Sequence, residues 1–530
     1  MWKKILVITL AVMLAATPAL AWDWNEEAMK YMPLSDEMVD IYVMGQKFQT
    51  QAGEFENLDT YIWLKENGNV NITGERYLSD IWNEKVSLSI ASGELPDAFL
   101  STGWTSAQVA KYGEDGVLLD VSGMLAEYCP NLVALFEKYP QVKAMCTTVD
   151  GAIYALPSIN MLPRDVHSRF WMSQAWLDAL ELEHPQTLDE LYNVLVAFRD
   201  GDPNGNGEKD EIPVSGSDGG SIDQLILNAY GLNIGGYNDL FDAGEDDQIF
   251  FVPTSDAYKA YLKYMRKLFA EGLLDNEIFV QTSDQMNAKG AQNRIGMYES
   301  AASWIACTSE YGMDHFQAGP YSSELNPDKF VPTSGGYSLN VCAITTACEH
   351  PEVLLKIMNF FYSVPGGIME NNGPYGGWIW LDEENGIWGY ADSVLEEYES
   401  VEAWRAAKAT TTCNWGFYLD VDFSLGLDAS DATGIDLAKW LNDNTATYQE
   451  PYFRVKFPTL SLTSDELLIT TSIENDVRNY VKNMRARFIT GEDDIDAAWD
   501  EYVKNIENMR VAELLEQYQK AYDRYVAAMK

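Results

Sequence analysis

Residues 78–104 read LSDIWNEKVSLSIASGELPDAFLSTGW. Leu78, Ile81, Trp82, Val86, Leu88 and Ile90 recur at a spacing that predicts an amphipathic helix from Leu78 to Ala91. Ser92-Gly93-Glu94-Leu95-Pro96 stops it. Asp97-Ala98-Phe99-Leu100 then reads as a short buried strand running into the loop Ser101-Thr102-Gly103-Trp104. Upstream, Asp40-Ile41-Tyr42-Val43-Met44-Gly45 reads as an opening strand. Strand, helix, strand, loop is the building unit of an α/β sheet, and such sheets bind ligands at the loops that follow their strands.

The alternation continues along the chain. Asp150-Gly151 marks a turn, Ala152 to Leu156 a strand and Pro157 its end. Thr187 with Glu190 three residues on forms a capping box for a helix running to Asp200. Tyr258, Tyr261, Leu262, Met265, Leu268 and Phe269 mark another helix, closed by Gly272. Pro351 opens a third through Val353, Leu354, Ile357 and Phe360. From Ser464 onward the pattern is nearly all helical, with Trp499, Tyr502, Val503 and Ile506 on one face. These signals predict α/β lobes with a helical C-terminal wrap.

The N-terminus predicts export. Lys3 and Lys4 precede an apolar run from Ile5 to Ala16, and Thr17-Pro18-Ala19-Leu20-Ala21 supplies a small-residue cleavage site, so residues 1–21 read as a signal peptide. No cysteine follows the small residues, so the expectation is a periplasmic or extracellular protein that is released rather than lipid-anchored. A chain of 530 residues is too long for a single core. With 36 basic against 81 acidic residues the formal charge is −45, which repels phosphate backbones and anionic lipid and argues against nucleic acid and membrane surfaces as partners. Cys129/Cys146 and Cys342/Cys348 are possible disulfides by proximity, and buried thiols are the alternative. The four histidines show no helical pairing, which argues against a His-based zinc site.

Asp202-Pro203-Asn204-Gly205-Asn206-Gly207-Glu208-Lys209-Asp210-Glu211 is the sharpest motif. Oxygen side chains at positions one, three, five and nine, with Gly at six, follow the calcium loop of EF-hands. Asp202, Asn204, Asn206, Asp210 and Glu211 are the expected side-chain ligands, and Glu208 offers its backbone carbonyl. The usual twelfth-position Glu is replaced by Pro213, which argues against a helix leaving the loop.

Several phrases together resemble the extracellular solute-binding proteins of ABC sugar importers, in the branch that includes the alginate-oligosaccharide-binding proteins. Ser92 to Asp97 is similar to that family's SGxLPD, Asp150 to Pro157 to its DGKIYALP, and Asp202 to Pro213 to the calcium-binding DPNGNGKKDEIP. Ala175-Trp176-Leu177-Asp178 with Pro185 to Leu191, Asn293 to Met297, His350-Pro351-Glu352, Phe488 to Gly491 and Trp499 to Tyr502 continue the series. Two departures stand out: the missing lipid-anchoring cysteine, and Met172-Ser173-Gln174 where the family carries a basic pair. The resemblance implies a two-lobed periplasmic-binding-protein-like α/β fold of type II with an interlobe ligand cleft, and structural Ca²⁺. The lobes are expected to exchange chain as 22–155 (first lobe), 156–309 (second), 310–365 (first) and 366–530 (second, with the helical wrap). It further implies a monomer that binds an oligosaccharide and delivers it to ABC permease subunits.

Sugars are held by aromatic faces and by polar groups on their hydroxyls. Sixteen Trp and thirty Tyr offer many candidates, so aromatics on Gly-rich loops are favoured. These are Trp104, Tyr298, Trp304, Tyr337, Trp378 and Trp415, with Trp171 and Trp380 behind them. Trp304 and Trp415 are expected on opposite walls. The competing readings are an exported glycoside hydrolase with two carboxylates across the cleft, and a receptor for peptide or another small solute. No GxSxG elbow, P-loop or Rossmann fingerprint appears in the sequence.

Overall fold

The computed structural model describes residues 23–47, 53–217, 219–307, 312–398, 401–410, 413–428 and 436–529. The expected signal peptide lies outside the described residues. The strands in chain order begin with β1 (Val39–Lys47), β2 (Val70–Leu78), β3 (Ala98–Leu100) and β4 (Leu156–Asn160). The chain then crosses to a second lobe with β5 (Phe170–Ser173), β6 (Ile212–Val214), β7 (Phe241–Ala243), β8 (Ile249–Phe251), β9 (Ile295–Glu299) and β10 (His315–Gln317). It returns through β11 (Val331–Thr333) into β12 (Tyr337–Ile344), the hairpin β13 (Trp378–Asp382) and β14 (Ile387–Tyr390), and β15 (Tyr418–Leu419). β16 (Phe453–Val455) comes last.

Two sheets organise two lobes, as in the periplasmic-binding-protein-like fold. The first has the order β15-β4-β12-β3-β1-β2, and the second β10-β5-β9-β6. β1 pairs in parallel with β2 and β3, because the helices Asp59–Gly68 and Ser79–Ser92 carry the chain back between them. β12 enters antiparallel between β3 and β4 after the excursion through the second lobe. Apolar clusters cover both faces of the first sheet. One is built around Ile41, Val43, Leu354 and Phe361, the other around Met44, Trp82, Phe99 and Trp104.

The helix read at 78–91 is Ser79–Ser92, ended by Gly93 at φ 75°. Its buried stripe is Trp82, Val86 and Ser89, while Ile81 and Leu88 face outward. Thr187 caps the helix Leu188–Asp200 through the Glu190 N–H, but the Glu190 carboxylate reaches past Thr187 to the Gln186 N–H. The strand read at 152–156 lies four residues later, at β4, with Pro157 inside it. The ladder between β4 and β12 is irregular there, pairing Leu156 with Cys342 and Ser158 with Ser338, so a residue without an N–H is tolerated.

The C-terminal helices Ser464–Thr490, Ile495–Asn508 and Val511–Ala528 bury Val477, Phe488, Tyr502, Ile506 and Leu514 in the core of the second lobe. Among the described residues the chain leaves the first lobe at 161–169 and returns to it between β10 and β12, and the helix Leu437–Tyr448 lies against β10 of the second lobe again. Those crossings differ from the expected boundaries at 155, 309 and 365. β4 and β15 both belong to the first sheet, and β10 belongs to the second. Trp378 and Trp388, beyond the expected boundary at 365, also join the core of the first lobe. All six cysteines are unpaired, and burial pushes Cys129, Cys146 and Cys413 up to about 12, so buried thiols replace the possible bridges. Among the described residues no helix is long and apolar enough to cross a membrane.

Candidate functional site

The strand-end loops of the two sheets form the walls of a cleft. On the first lobe a cavity of about 330 Å³ is lined by Ser101, Thr102 and Gly103 after β3, Ser158 and Asn160 of β4, Tyr337 of β12, and Asn414 and Phe417. Hydrogen bonds from Asn414 N to Ser101 Oγ (2.6 Å) and from Ser101 N to Asn414 O (3.1 Å) tie the β3 loop to the chain before β15. Ile159 N donates to Phe417 O at 2.7 Å, which fixes the adjacent edge. The first crossing joins this wall to the other. Asn160 donates to Asp165, and Arg169 pairs with Asp165 at 3.5 Å.

On the second lobe two chambers of about 420 and 220 Å³ share Gly220 and Glu299. The first is lined by His167, Ser168, Arg169 and Ser300, the second by Asp223, Tyr237, Asp239 and Lys456. Burial pushes His167 down to about 4, and its two ring nitrogens lie 3.1 Å from Pro163 O and from Gln317 Oε1. Tyr237 lies over the Arg485 guanidinium at 3.9 Å. Arg485 is buried on the helix Ser464–Thr490, where it pairs with Asp223 and donates to Tyr261 Oη (2.6 Å) and Gly219 O (2.7 Å). A buried cation thus clamps the loops that carry this wall. A larger cavity of about 820 Å³ lies elsewhere, between first-lobe helices (Val133, Phe136, Met145) and the last helix (Ala521, Tyr525), away from both sets of strand ends.

The expected aromatics divide sharply. Tyr337 lines the first-lobe cavity. Trp304 is half-buried beside Trp440 at 5.7 Å, and Trp440 stacks on Trp171 at 5.3 Å. The other four are core residues rather than cleft residues. Trp415 is fully buried with its indole N–H on Tyr61 Oη (2.9 Å), so it does not face Trp304 across a cleft. Trp378 donates to Gly373 O and is ringed by Trp24, Trp380, Trp388 and Phe423. Tyr298 donates to Ser303 O (3.0 Å) inside the second lobe. Trp104 packs on Phe99 and Tyr112. Of the second choices, Trp171 is buried and Trp380 half-buried against Trp378. The sequence reading missed Tyr237, although Gly235-Gly236-Tyr237 repeats the Gly335-Gly336-Tyr337 pattern that picked out Tyr337.

The loop 202–211 lies between the helix Leu188–Asp200 and β6, away from the cleft walls, and leaves into a strand as Pro213 demands. Gly205 and Gly207 take φ of 71° and 79°, bending the chain around Asp202, whose carboxylate accepts the Asn206 and Gly207 N–H groups. Asn204 and Asn206 both donate to Asp210, and Arg294 pairs with Asp210 at 2.9 Å. Both Glu211 oxygens are buried without a hydrogen-bond partner, and burial, then the charges of Asp210 and Asp202, raises its carboxyl. Among the described residues no group of three or more His, Cys, Asp or Glu forms a metal cluster by itself. This loop instead mixes carboxylates with two amides and a backbone carbonyl, the oxygen set of a hard cation, and an orphaned carboxylate faces it.

Comparison with known proteins matches this architecture. Residues 45–367 match the family described as bacterial extracellular solute-binding protein. The fructooligosaccharide ABC transporter substrate-binding protein FusA of Streptococcus pneumoniae is 31% identical over 475 residues, 87% of this chain and 86% of its own. The structure of FusA in complex with kestose superposes with a TM-score of 0.75 at 27% identity, over 92% of this chain and all of that one. An EF-hand mutant of FusA with fructo-nystose gives the same TM-score at 26% identity, over 92% of this chain and all of that one. The alginate-binding protein AlgQ2 without calcium ion shares the fold, with a TM-score of 0.69 at 22% identity over 92% of this chain and 99% of that one. The chain belongs to the bacterial extracellular solute-binding proteins.

Proposed function

We propose that this chain is the exported, non-catalytic receptor of an ABC importer, which takes a neutral oligosaccharide into the interlobe cleft and hands it to permease subunits as a monomer. The observation that carries the reading is the pair of polar strand-end walls, each bearing a tyrosine after two glycines, on a fold shared with a fructooligosaccharide receptor. Hydroxyls and amides of Ser101, Thr102, Asn160 and Asn414 suit sugar hydroxyls, and Tyr337 and Tyr237 suit sugar faces. The net charge of −45 opposes a polyanion. Calorimetry with kestose, a charged uronate trimer and a tripeptide tests the reading. Kestose is expected to bind and remain intact after prolonged incubation. Binding of the peptide alone would overturn the sugar assignment, and cleavage of kestose would overturn the receptor assignment.

The loop 202–211 is assigned structural Ca²⁺. Asp202, Asn204, Asn206, Asp210 and Glu211 would supply side-chain oxygens, the two amides turning from Asp210 to the ion, and Glu208 its carbonyl. Bound there, calcium would offset two of the three carboxylate charges, beside Arg294 on Asp210, and stabilise the turn between a helix and β6.

A further inference from the structure

Glu370 is fully buried on the helix Val364–Asn372, beneath the first-lobe wall. One of its carboxyl oxygens accepts the Trp415 N–H at 3.2 Å, and the other is buried with no hydrogen-bond partner. Its own backbone carbonyl accepts Thr410 Oγ1 at 2.7 Å. Trp415 lies between Asn414 and Phe417, which line the cavity. That segment has no slack. Gly416 sits at φ 118°, and a Cβ there would lie 2.9 Å from Pro157 O and 3.0 Å from Tyr362 Oη. We propose that Glu370 is a positioning residue of the cleft: its neutral carboxyl holds the Cys413–Phe417 segment against the β3 loop, and loss of its proton releases that wall.

The surroundings explain why the proton matters. Tyr61, from the helix Asp59–Gly68, Tyr362, after the helix Pro351–Phe361, and Cys413 face the carboxyl, and burial raises each of them, so all three are neutral. Arg76 of β2 reaches Tyr61 and Cys413. Arg405, from the helix Val401–Lys408, is the cation that favours the charged form, yet it donates to Asn371. Burial therefore wins over the Trp415 N–H and Arg405, and pushes Glu370 up to about 8. A buried charge with one unmet oxygen is relieved by water, and water reaches it when the 413–417 segment lifts. The unfolded chain gives up this proton at about pH 4.3 and the folded chain at about 8. Between those values the folded state holds one proton more, so stability falls as pH rises.

The inference rests on reading this cavity as a ligand wall, but its test needs no sugar. In the parent protein, amide exchange protection of Trp415, corrected for intrinsic rate, is expected to fall by up to about tenfold per pH unit between about pH 5 and 8 and to level off above 8. In Glu370→Gln it should stay level to pH 9.5, and the melting temperature should exceed the parent's by a margin that grows from pH 5 to 8 and then holds. Glu370→Ala should lower protection at every pH, which separates the carboxyl's role from simple filling of space. Protection that is level in the parent up to pH 9.5, or falls equally in Glu370→Gln, overturns the proposal. If Glu370→Gln does not fold, the parent profile alone decides. Either result leaves the oligosaccharide reading standing or falling on its own calorimetry.

Discussion

Tyr237 and Tyr337 each close a Gly-Gly-Tyr triplet, and each lines one wall of the cleft. Their surroundings differ. Tyr237 rests on a buried guanidinium that is itself held by Asp223, Tyr261 and Gly219, so its ring is fixed before any ligand arrives. Tyr237→Ala should then weaken kestose binding by about 1–3 kcal/mol, a typical loss for a buried aromatic contact, with little change in melting temperature. Calorimetry beside a thermal melt checks both halves. Trp415→Ala is expected to behave differently, because that indole fills the first-lobe core. The expected cost is about 3–5 kcal/mol of stability, read as a lower urea midpoint. A Trp415→Ala protein that melts like the parent but has lost its sugar would return Trp415 to the cleft.

At the scale of elements, the capped helices and the calcium-like loop were legible because their signals are local. Thr187 sits where a side-chain oxygen must meet an orphan N–H, and Gly93 where the chain must turn left-handed. The aromatic sites were not, because glycine beside an aromatic has two causes that sequence cannot separate. A Cβ on Gly377 would meet the Trp404 ring at 2.1 Å, so that glycine serves packing rather than ligand approach. Lobe boundaries were misread for a related reason: the β4–β12 and β4–β15 pairings join strands far apart in the chain, such as Ser158 with Ser338 and Ile159 with Tyr418, beyond any local pattern. The loop 202–211 supports a prediction at this scale. Chelator should lower the melting temperature of the parent, and Glu211→Gln should remove that sensitivity while preserving shape. Because burial raises the Glu211 carboxyl, protons compete with the cation, and calcium affinity should fall as pH drops through that raised value. A melting curve indifferent to chelator at pH 7.5 would count against a cation in the loop.

At the scale of the molecule, function rests on two rigid lobes and what joins them. Each lobe has its own sheet and core, and the C-terminal helices add Val477, Phe488 and Tyr502 to the second. Rigidity of that kind concentrates motion where few contacts cross. The structure supplies such places in the 161–169 crossing and the short parallel ladder of β11 with β16, where Val331 pairs with Phe453 and Lys456 N reaches Thr333 O. The walls they join are polar, so water solvates them whenever the cleft is open. A sugar that replaces that water on both walls at once has its greatest affinity for the closed form, and shifts the population towards it only by that difference. Kestose at saturating concentration is therefore expected to lower the radius of gyration in solution scattering while leaving far-ultraviolet circular dichroism unchanged, because whole lobes rotate and no element melts. Arg485→Lys gives the sharper form of this prediction. It keeps the charge but loses the planar fork that spans Asp223, Tyr261 and Gly219, so the second wall should loosen, kestose affinity should fall, and the residual compaction should be reached only at higher sugar. Scattering curves that superpose with and without bound kestose would mean that the cleft works without closing.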